Sequence, residues 1–194
     1  VPASLLGNQQ SYIPPTLSIF TSMFMHGSWM HLIGNMVFLW IFGDNIEDSM
    51  GRGKFLVFYL LSGIGAALLQ AIIDPGSNIP MIGASGAIAG VLGGYLLLHP
   101  KANVNVLMWI IIFISVIRVP AFIVLGFWII GQFFNVSFGS EGGVAYFAHI
   151  GGFIAGMLLI PFFKRQGIEL FQEAHSQAFE SSNFDFNNLR SKNS

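Results

Sequence analysis

Five apolar stretches divide this chain, at roughly Met25–Gly43, Phe55–Ile73, Ala84–Leu98, Val119–Val136 and Gly143–Phe163. Their apolar residues run on without alternating, which is the pattern of helices in lipid and not of barrel strands. A bilayer core of ~30 Å takes about 20 helical residues, so each stretch predicts a span. Turn-forming clusters separate them: Gly51-Arg52-Gly53-Lys54, Asp74-Pro75-Gly76, His99-Pro100-Lys101 and Gly139–Gly143. The stretch Asn103–Phe134 is too long for one span and short for two. Arg118 and Pro120 interrupt it, which predicts a helix from about Val119 preceded by an interfacial or re-entrant Val104–Ile117.

Composition agrees with a membrane protein. The chain is 54% hydrophobic and 9% charged, against about 25% charged in a soluble domain, and its mean hydropathy is +0.68. The absence of cysteine excludes disulfides, zinc–thiolate centres and a cysteine nucleophile. Charge placement then orients the spans. Arg52 and Lys54, Lys101 and Arg118, and Lys164 and Arg165 fall on one side, while the opposite loops carry only Asp74 and Glu141. By the positive-inside rule the basic side is cytoplasmic and Val1 lies outside. A sixth span within 103–134 would reverse Lys164 and Arg165 and carry His149 away from Ser85, so a single span is expected there.

The expected organisation is an extracytoplasmic segment over 1–24, a membrane domain over 25–163 and a polar cytoplasmic tail over 164–194. Within the tail, Ile168–Phe179 is expected as a short interfacial helix, with disorder beyond. Val1–Ser22 has neither a basic leader nor a long apolar core, so it is not a signal peptide. Starting at Val1 without Met, the chain is expected to begin inside a longer protein.

The candidate chemistry lies within the spans, where polar side chains are costly and are functional candidates by default. Ser85 opens one span, His149 sits in another, and His31 and Asn35 lie one helical turn apart in a third. The Ser85 helix is only ~22 Å long, so Ser85 falls ~8 Å short of the outer surface when Lys101 anchors the other end. His149 lies ~9 Å from the Gly143 end of its span. The four side chains therefore share a depth band, reached by a descending Pro75–Gly83 loop. Gly86, Gly90 and Gly94 on one helix and Gly152 and Gly156 on another form small-residue stripes that let the two pack closely. Taken singly, each residue has a plainer reading. Ser85 serves as a hydroxyl bonded back to its own helix, and His149, His31 and Asn35 serve as interhelical glue. His26 reads equally well as an interfacial residue, and His99 and His175 as loop and tail residues.

Three stretches, His26-Gly27-Ser28-Trp29-Met30-His31-Leu32-Ile33-Gly34-Asn35, Gly83-Ala84-Ser85-Gly86-Ala87 and Ala148-His149-Ile150-Gly151-Gly152, together resemble the rhomboid family of intramembrane serine proteases. The likeness runs over roughly Leu17–Phe163. It implies an all-α polytopic transmembrane helical bundle of the rhomboid type, with five spans here and the family's first span missing. It also implies Ser85 as nucleophile and His149 as general base. His31, Asn35 and the Ser85 N–H would form the oxyanion hole, with His26 and Gly83 at the substrate-binding edge. Gly152 and Gly156 match the glycines that seat the last span, and Glu47 and Arg52 match a structural turn. One departure is Ala89, where some members carry an aromatic beneath the histidine, which leaves Tyr146 as a candidate to orient His149.

With no Asp or Glu in the Ser85 or His149 spans, the expected machinery is a Ser–His dyad. The expected partners are transmembrane protein substrates and the lipid bilayer, with no nucleic acid, cofactor or metal. The expected location is a prokaryotic plasma (inner) membrane, with the site opening to the outside and Val119–Val136 and Ser137–Gly142 as gate and cap. The competing readings are a His-lined transporter or channel using His26, His31 and His149, and a non-catalytic rhomboid-like binder.

Overall fold

The computed structural model describes residues 14–76, 81–110, 113–137 and 144–172. It is a helical membrane bundle. In chain order the elements are α1 (Pro15–Ser22), α2 (Trp29–Met50), α3 (Arg52–Ile73), α4 (Ser85–Leu98), β1 (Asn103–Ile110), β2 (Phe113–Pro120), α5 (Ala121–Ser137) and α6 (Tyr146–Phe163). Helices α3 and α6 are long and apolar enough to cross a bilayer, and α4 and α5 are shorter apolar helices. Exposed Trp40, Phe127 and Phe162 on the outer faces suit a hydrocarbon surround.

The five apolar stretches all appear as helices, with shifted ends. Helix α2 starts at Trp29, not Met25, because the Ser28 hydroxyl caps it by accepting the His31 N–H at 3.1 Å. It then continues past Gly43 through Asp44–Met50, a polar stretch that leaves the apolar run while remaining helical. Gly51 ends it at φ +89°, a conformation open to glycine, and α3 begins at the next residue. Glu47 and Arg52 pair across this turn at 3.3 Å.

Helix α4 sits at the centre, packed against α2, α3, α5 and α6. Ala89, Val91, Leu92 and Leu98 on it are fully buried. In lipid no hydrophobic force drives helices together, so close van der Waals packing must hold them. The glycine stripes supply that approach. A Cβ on Gly152 would strike the Gly86 carbonyl oxygen, one on Gly156 the Gly90 carbonyl oxygen, and one on Gly90 the Ser62 side chain. Gly94 faces Phe58 and Ile160.

The segment before α5 has strand structure that hydropathy did not indicate. Val104–Ile117, expected as an interfacial or re-entrant stretch, lies in a strand pair: β1 and β2 form an antiparallel hairpin pairing Asn105 with Arg118 and Leu107 with Val116. The alternation Asn103-Val104-Asn105-Val106 has the period of a strand, and the β-branched run after it favours one. Pairing also satisfies backbone groups that a lone extended segment would leave open. Ala121 N–H to Ala102 O, at 2.8 Å, and Phe122 N–H to Pro100 O, at 2.9 Å, fasten the start of α5 to the hairpin base.

After α6 the chain turns back in place of the expected helix from Ile168, as far as Gln172. Arg165 N–H bonds Ser49 O at 2.9 Å, and Phe171 and Gln172 donate to Leu97 O and Leu98 O at 2.7 and 2.9 Å. The return strap thus satisfies carbonyls at the C-terminal end of α4, which no residue within a helix can reach. His99 caps that same end, its ring 5.2 Å from Tyr95. His175, the Ser137–Gly142 cap beyond its first residue, 77–80 of the descending loop and 173–179 of the expected tail helix lie outside the described residues.

Candidate active site

Ser85 is the first residue of α4, where helix geometry leaves backbone N–H groups without acceptors in the helix and presents a positive dipole end. The first ladder bond of α4 is Ile88 N–H to Ala84 O at 2.9 Å. His149 lies in the first turn of α6, since that helix begins at Tyr146 and not Gly143, with Val144 and Ala145 leading into it. The two helix starts bring Ser85 Oγ within 2.8 Å of His149 Nε2. The close glycine contact between α4 and α6 is what permits a hydrogen bond this short between side chains on separate helices.

His31 and Asn35 come from α2, one turn apart. His31 is the third residue of that helix, nearer its start than the apolar run implied. Gly83 has φ +113°, and a Cβ there would stand 2.7 Å from His31 and 3.5 Å from Asn35 Nδ2. Glycine is therefore needed at 83 twice over, for its backbone angle and for the approach of these donors. Gly83 N–H also donates to Ser22 O at 2.9 Å, so α1 supports the loop before Ser85. Asn35 is buried, and its Nδ2 has no hydrogen-bond partner among the described residues. A buried, unpaired amide donor is costly unless a ligand oxygen takes it up. The His26 ring stands 5.2 Å from His31 in an edge-on arrangement, and its buried Nε2 also has no partner among the described residues.

Ser85 and His149 sit between two cavities. One, of about 530 Å³, runs toward α1 and α3 and is lined by Ile19, Met23, Gly63, Ala67 and Met81 among others. The other, of about 200 Å³, lies toward α2 and α5 and is lined by Met30, Asn35, Phe38 and Trp128. His31 borders both. Ser85 and His149 line both, so the serine is open from two directions.

Two glutamines complete the surroundings of His149, and reasoning from sequence overlooked both. Gln132 on α5 turns its Oε1 to His149 Nδ1 at 2.8 Å, and Gln70 on α3 accepts the Ala148 N–H at 3.2 Å. The available signal was that an amide inside an apolar span is costly to leave unpaired and calls for a partner. Around the imidazole, the Trp128 ring lies 5.9 Å away, tilted by 38°, and Tyr146 meets it edge-on at 6.4 Å. Tyr146 is therefore a neighbour, while the polar contact to the ring's far nitrogen comes from α5. Among the described residues no three His, Cys, Asp or Glu side chains cluster closely enough to hold a metal ion.

Comparison with known proteins follows the same lines. The family model described as Rhomboid domain matches residues 15–166. RHOMBOID-like protein 4 of Arabidopsis thaliana is 36% identical over 135 residues, covering 70% of this chain and 31% of its own length. Rhomboid protein 1, mitochondrial, of Saccharomyces cerevisiae is 31% identical over 160 residues, covering 77% of this chain and 42% of its own. Rhomboid protease GlpG of Salmonella paratyphi A is 29% identical over 144 residues, covering 72% and 46%. The chain thus spans less than half the length of these relatives. They come from a plant, a mitochondrion and a bacterium, so the likeness gives a membrane but lends no support to a prokaryotic plasma membrane in particular.

Proposed function

This chain belongs to the rhomboid family, and from that premise we propose that it is an intramembrane serine endopeptidase cutting transmembrane segments of other membrane proteins near their outer ends. The observation that carries the reading is the 2.8 Å contact of Ser85 Oγ with His149 Nε2 on the wall of a 530 Å³ cavity. A serine hydroxyl is a weak nucleophile until a base takes its proton. His149 Nε2 accepts that proton as Oγ attacks the scissile carbonyl carbon, then returns it to the leaving amine as the C–N bond breaks. Water, deprotonated by the same nitrogen, attacks the acyl–Ser85 ester and frees the carboxylate and the enzyme.

The tetrahedral oxyanion needs donors in a site of low dielectric, each worth ~10²–10³ in rate. Asn35 Nδ2, the His31 ring and the Ser85 N–H serve as those donors, with Gly83 leaving room and His26 supporting His31. The N-terminal ends of α4 and α6 both favour negative charge at this point. Substrates are segments that unwind readily, since a helix hides its carbonyls and residues such as Gly or Pro release them. The basic loops support a site opening on the side opposite Arg52, Lys101 and Lys164, with residues 1–24 outside and 164–194 inside. A non-catalytic member would lack Ser85 or His149, and both are present.

The test is cleavage of a single-pass reporter in membranes by the full-length protein. Ser85→Ala and His149→Ala should each abolish product while leaving folded protein, and a serine-directed fluorophosphonate should label the wild type at Ser85. Cleavage retained by Ser85→Ala rules out the reading.

A further inference from the structure

Ala89 leaves the face of α4 beneath His149 without an aromatic ring, yet the imidazole is not loose. Gln132 Oε1 meets Nδ1 at 2.8 Å while Ser85 Oγ meets Nε2 at 2.8 Å, so both ring nitrogens are engaged. The orientation of the amide is itself set: Gln132 Nε2–H donates to Trp128 O one turn earlier, at 3.3 Å. With that donor spent on its own helix, the carbonyl oxygen is the atom that faces His149. Gln132 is buried, at 9% exposure, which strengthens the bond over one in open solvent.

A carbonyl oxygen only accepts, so Nδ1 must carry the proton and Nε2 must present its lone pair to Ser85. We propose that Gln132 is the positioning residue of the dyad: it holds His149 as the Nδ1–H tautomer and thereby makes the competence of the base depend on the seat of α5 against α6. This rests on the protease reading given above. Gln132 occupies the structural place of a triad carboxylate with a difference in charge. It fixes tautomer and ring plane, while adding no negative charge to offset the imidazolium that forms. A neutral amide is also far cheaper to bury in a membrane helix than a carboxylate. Helix α5 meets His149 through Trp128 and Gln132, while Phe122, Phe127 and Ile130 on the same helix are exposed.

The proposal is tested on the full chain in lipid vesicles, with steady-state cleavage of a single-pass reporter and the rate of fluorophosphonate labelling at Ser85. Gln132→Met keeps length and removes the acceptor. Its kcat and labelling rate should fall roughly tenfold or more, with KM within about twofold. Gln132→Glu keeps an acceptor oxygen at the same reach and should restore kcat to within about threefold of wild type. Unchanged kcat in Gln132→Met, or equal loss in both variants, overturns the proposal and leaves the protease reading intact. A wild type that neither cleaves nor labels overturns both. The tautomer is read independently of any variant from the ring-nitrogen NMR shifts of ¹⁵N-histidine-labelled wild type. A protonated Nδ1 and unprotonated Nε2 at His149 support the proposal, and the reverse pattern overturns it.

Discussion

The side-chain oxygen of Gln70 accepts the backbone N–H of Ala148 at 3.2 Å, tying α3 to the first turn of α6 one residue before His149. No side chain at the N-cap position, Ala145, can serve this helix start, so the cap comes from another span. Ala148 N–H also reaches Ala145 O at 3.0 Å, which shares the load.

Removing that cap should weaken the start of α6 more than the whole bundle. Gln70→Leu is expected to cost about 1 kcal/mol of stability, one net hydrogen bond partly compensated by Ala145. Its cleavage rate should fall further than such a loss of folded protein explains, because His149 sits on the loosened turn. Thermal unfolding in detergent alongside reporter cleavage checks both parts.

The α4–α6 contact should tolerate no added methyl. Gly152→Ala drives a Cβ into the Gly86 carbonyl oxygen, and Gly156→Ala into that of Gly90. Each should cost roughly 1–3 kcal/mol through overpacking and widen the Ser85–His149 distance. Gly126→Ala on α5, where a Cβ meets nothing within 4 Å, is the control and should be neutral or stabilising by up to about 1 kcal/mol. Equal losses at Gly126 and Gly152 in an unfolding assay would count against close helix contact as the cause.

Asn35→Ala and His31→Ala should leave the fold in place and lower kcat by ~10²–10³ each, with KM little changed. A donor that acts on the developing oxyanion contributes in the transition state and little before it. A rise in KM at constant kcat would instead assign these residues to ground-state binding. Steady-state cleavage of the single-pass reporter separates the two outcomes.

Gly83→Ala should be more damaging than its size suggests. The added Cβ pays for a φ of +113° and meets the His31 ring at 2.7 Å. Strain of ~1–2 kcal/mol should appear in Tm, and displacement of His31 should appear separately as lost kcat.

Cutting the chain after Gly167 should destabilise α4, which begins at Ser85, from its opposite end. The cut removes the Phe171 and Gln172 bonds to Leu97 O and Leu98 O, and the packing of Ile168 and Leu170 on the core. A loss of about 2 kcal/mol is expected, measured as a lower Tm, with reporter cleavage at low temperature near the wild-type rate.

Much of this protein could be read from its residues in order. Continuous apolar stretches of span length favour helices in lipid, since a helix gives each backbone group a partner within the same segment. The spans around Ser85, His149 and His31 were therefore legible, as were the glycine stripes on α4 and α6, because small residues four apart lie on one face whatever the helix meets. Helix ends were less legible. Hydropathy marks where lipid stops, but Ser28 and Gly51 mark where the hydrogen-bond ladder of α2 starts and stops, and the two boundaries differ. The hairpin at Asn103–Pro120 was obscured because an apolar run reads alike for buried strand and helix.

What tertiary structure alone decided is which distant groups meet. The seat of Ser22 beneath Gly83, the cap from Gln70 on Ala148 and the acceptor from Gln132 at His149 join residues far apart in the chain. An isolated glutamine in an apolar span announces that it needs a partner, but not where. That depends on the rotation and crossing of two helices, which packing sets through the whole bundle and no local pattern encodes.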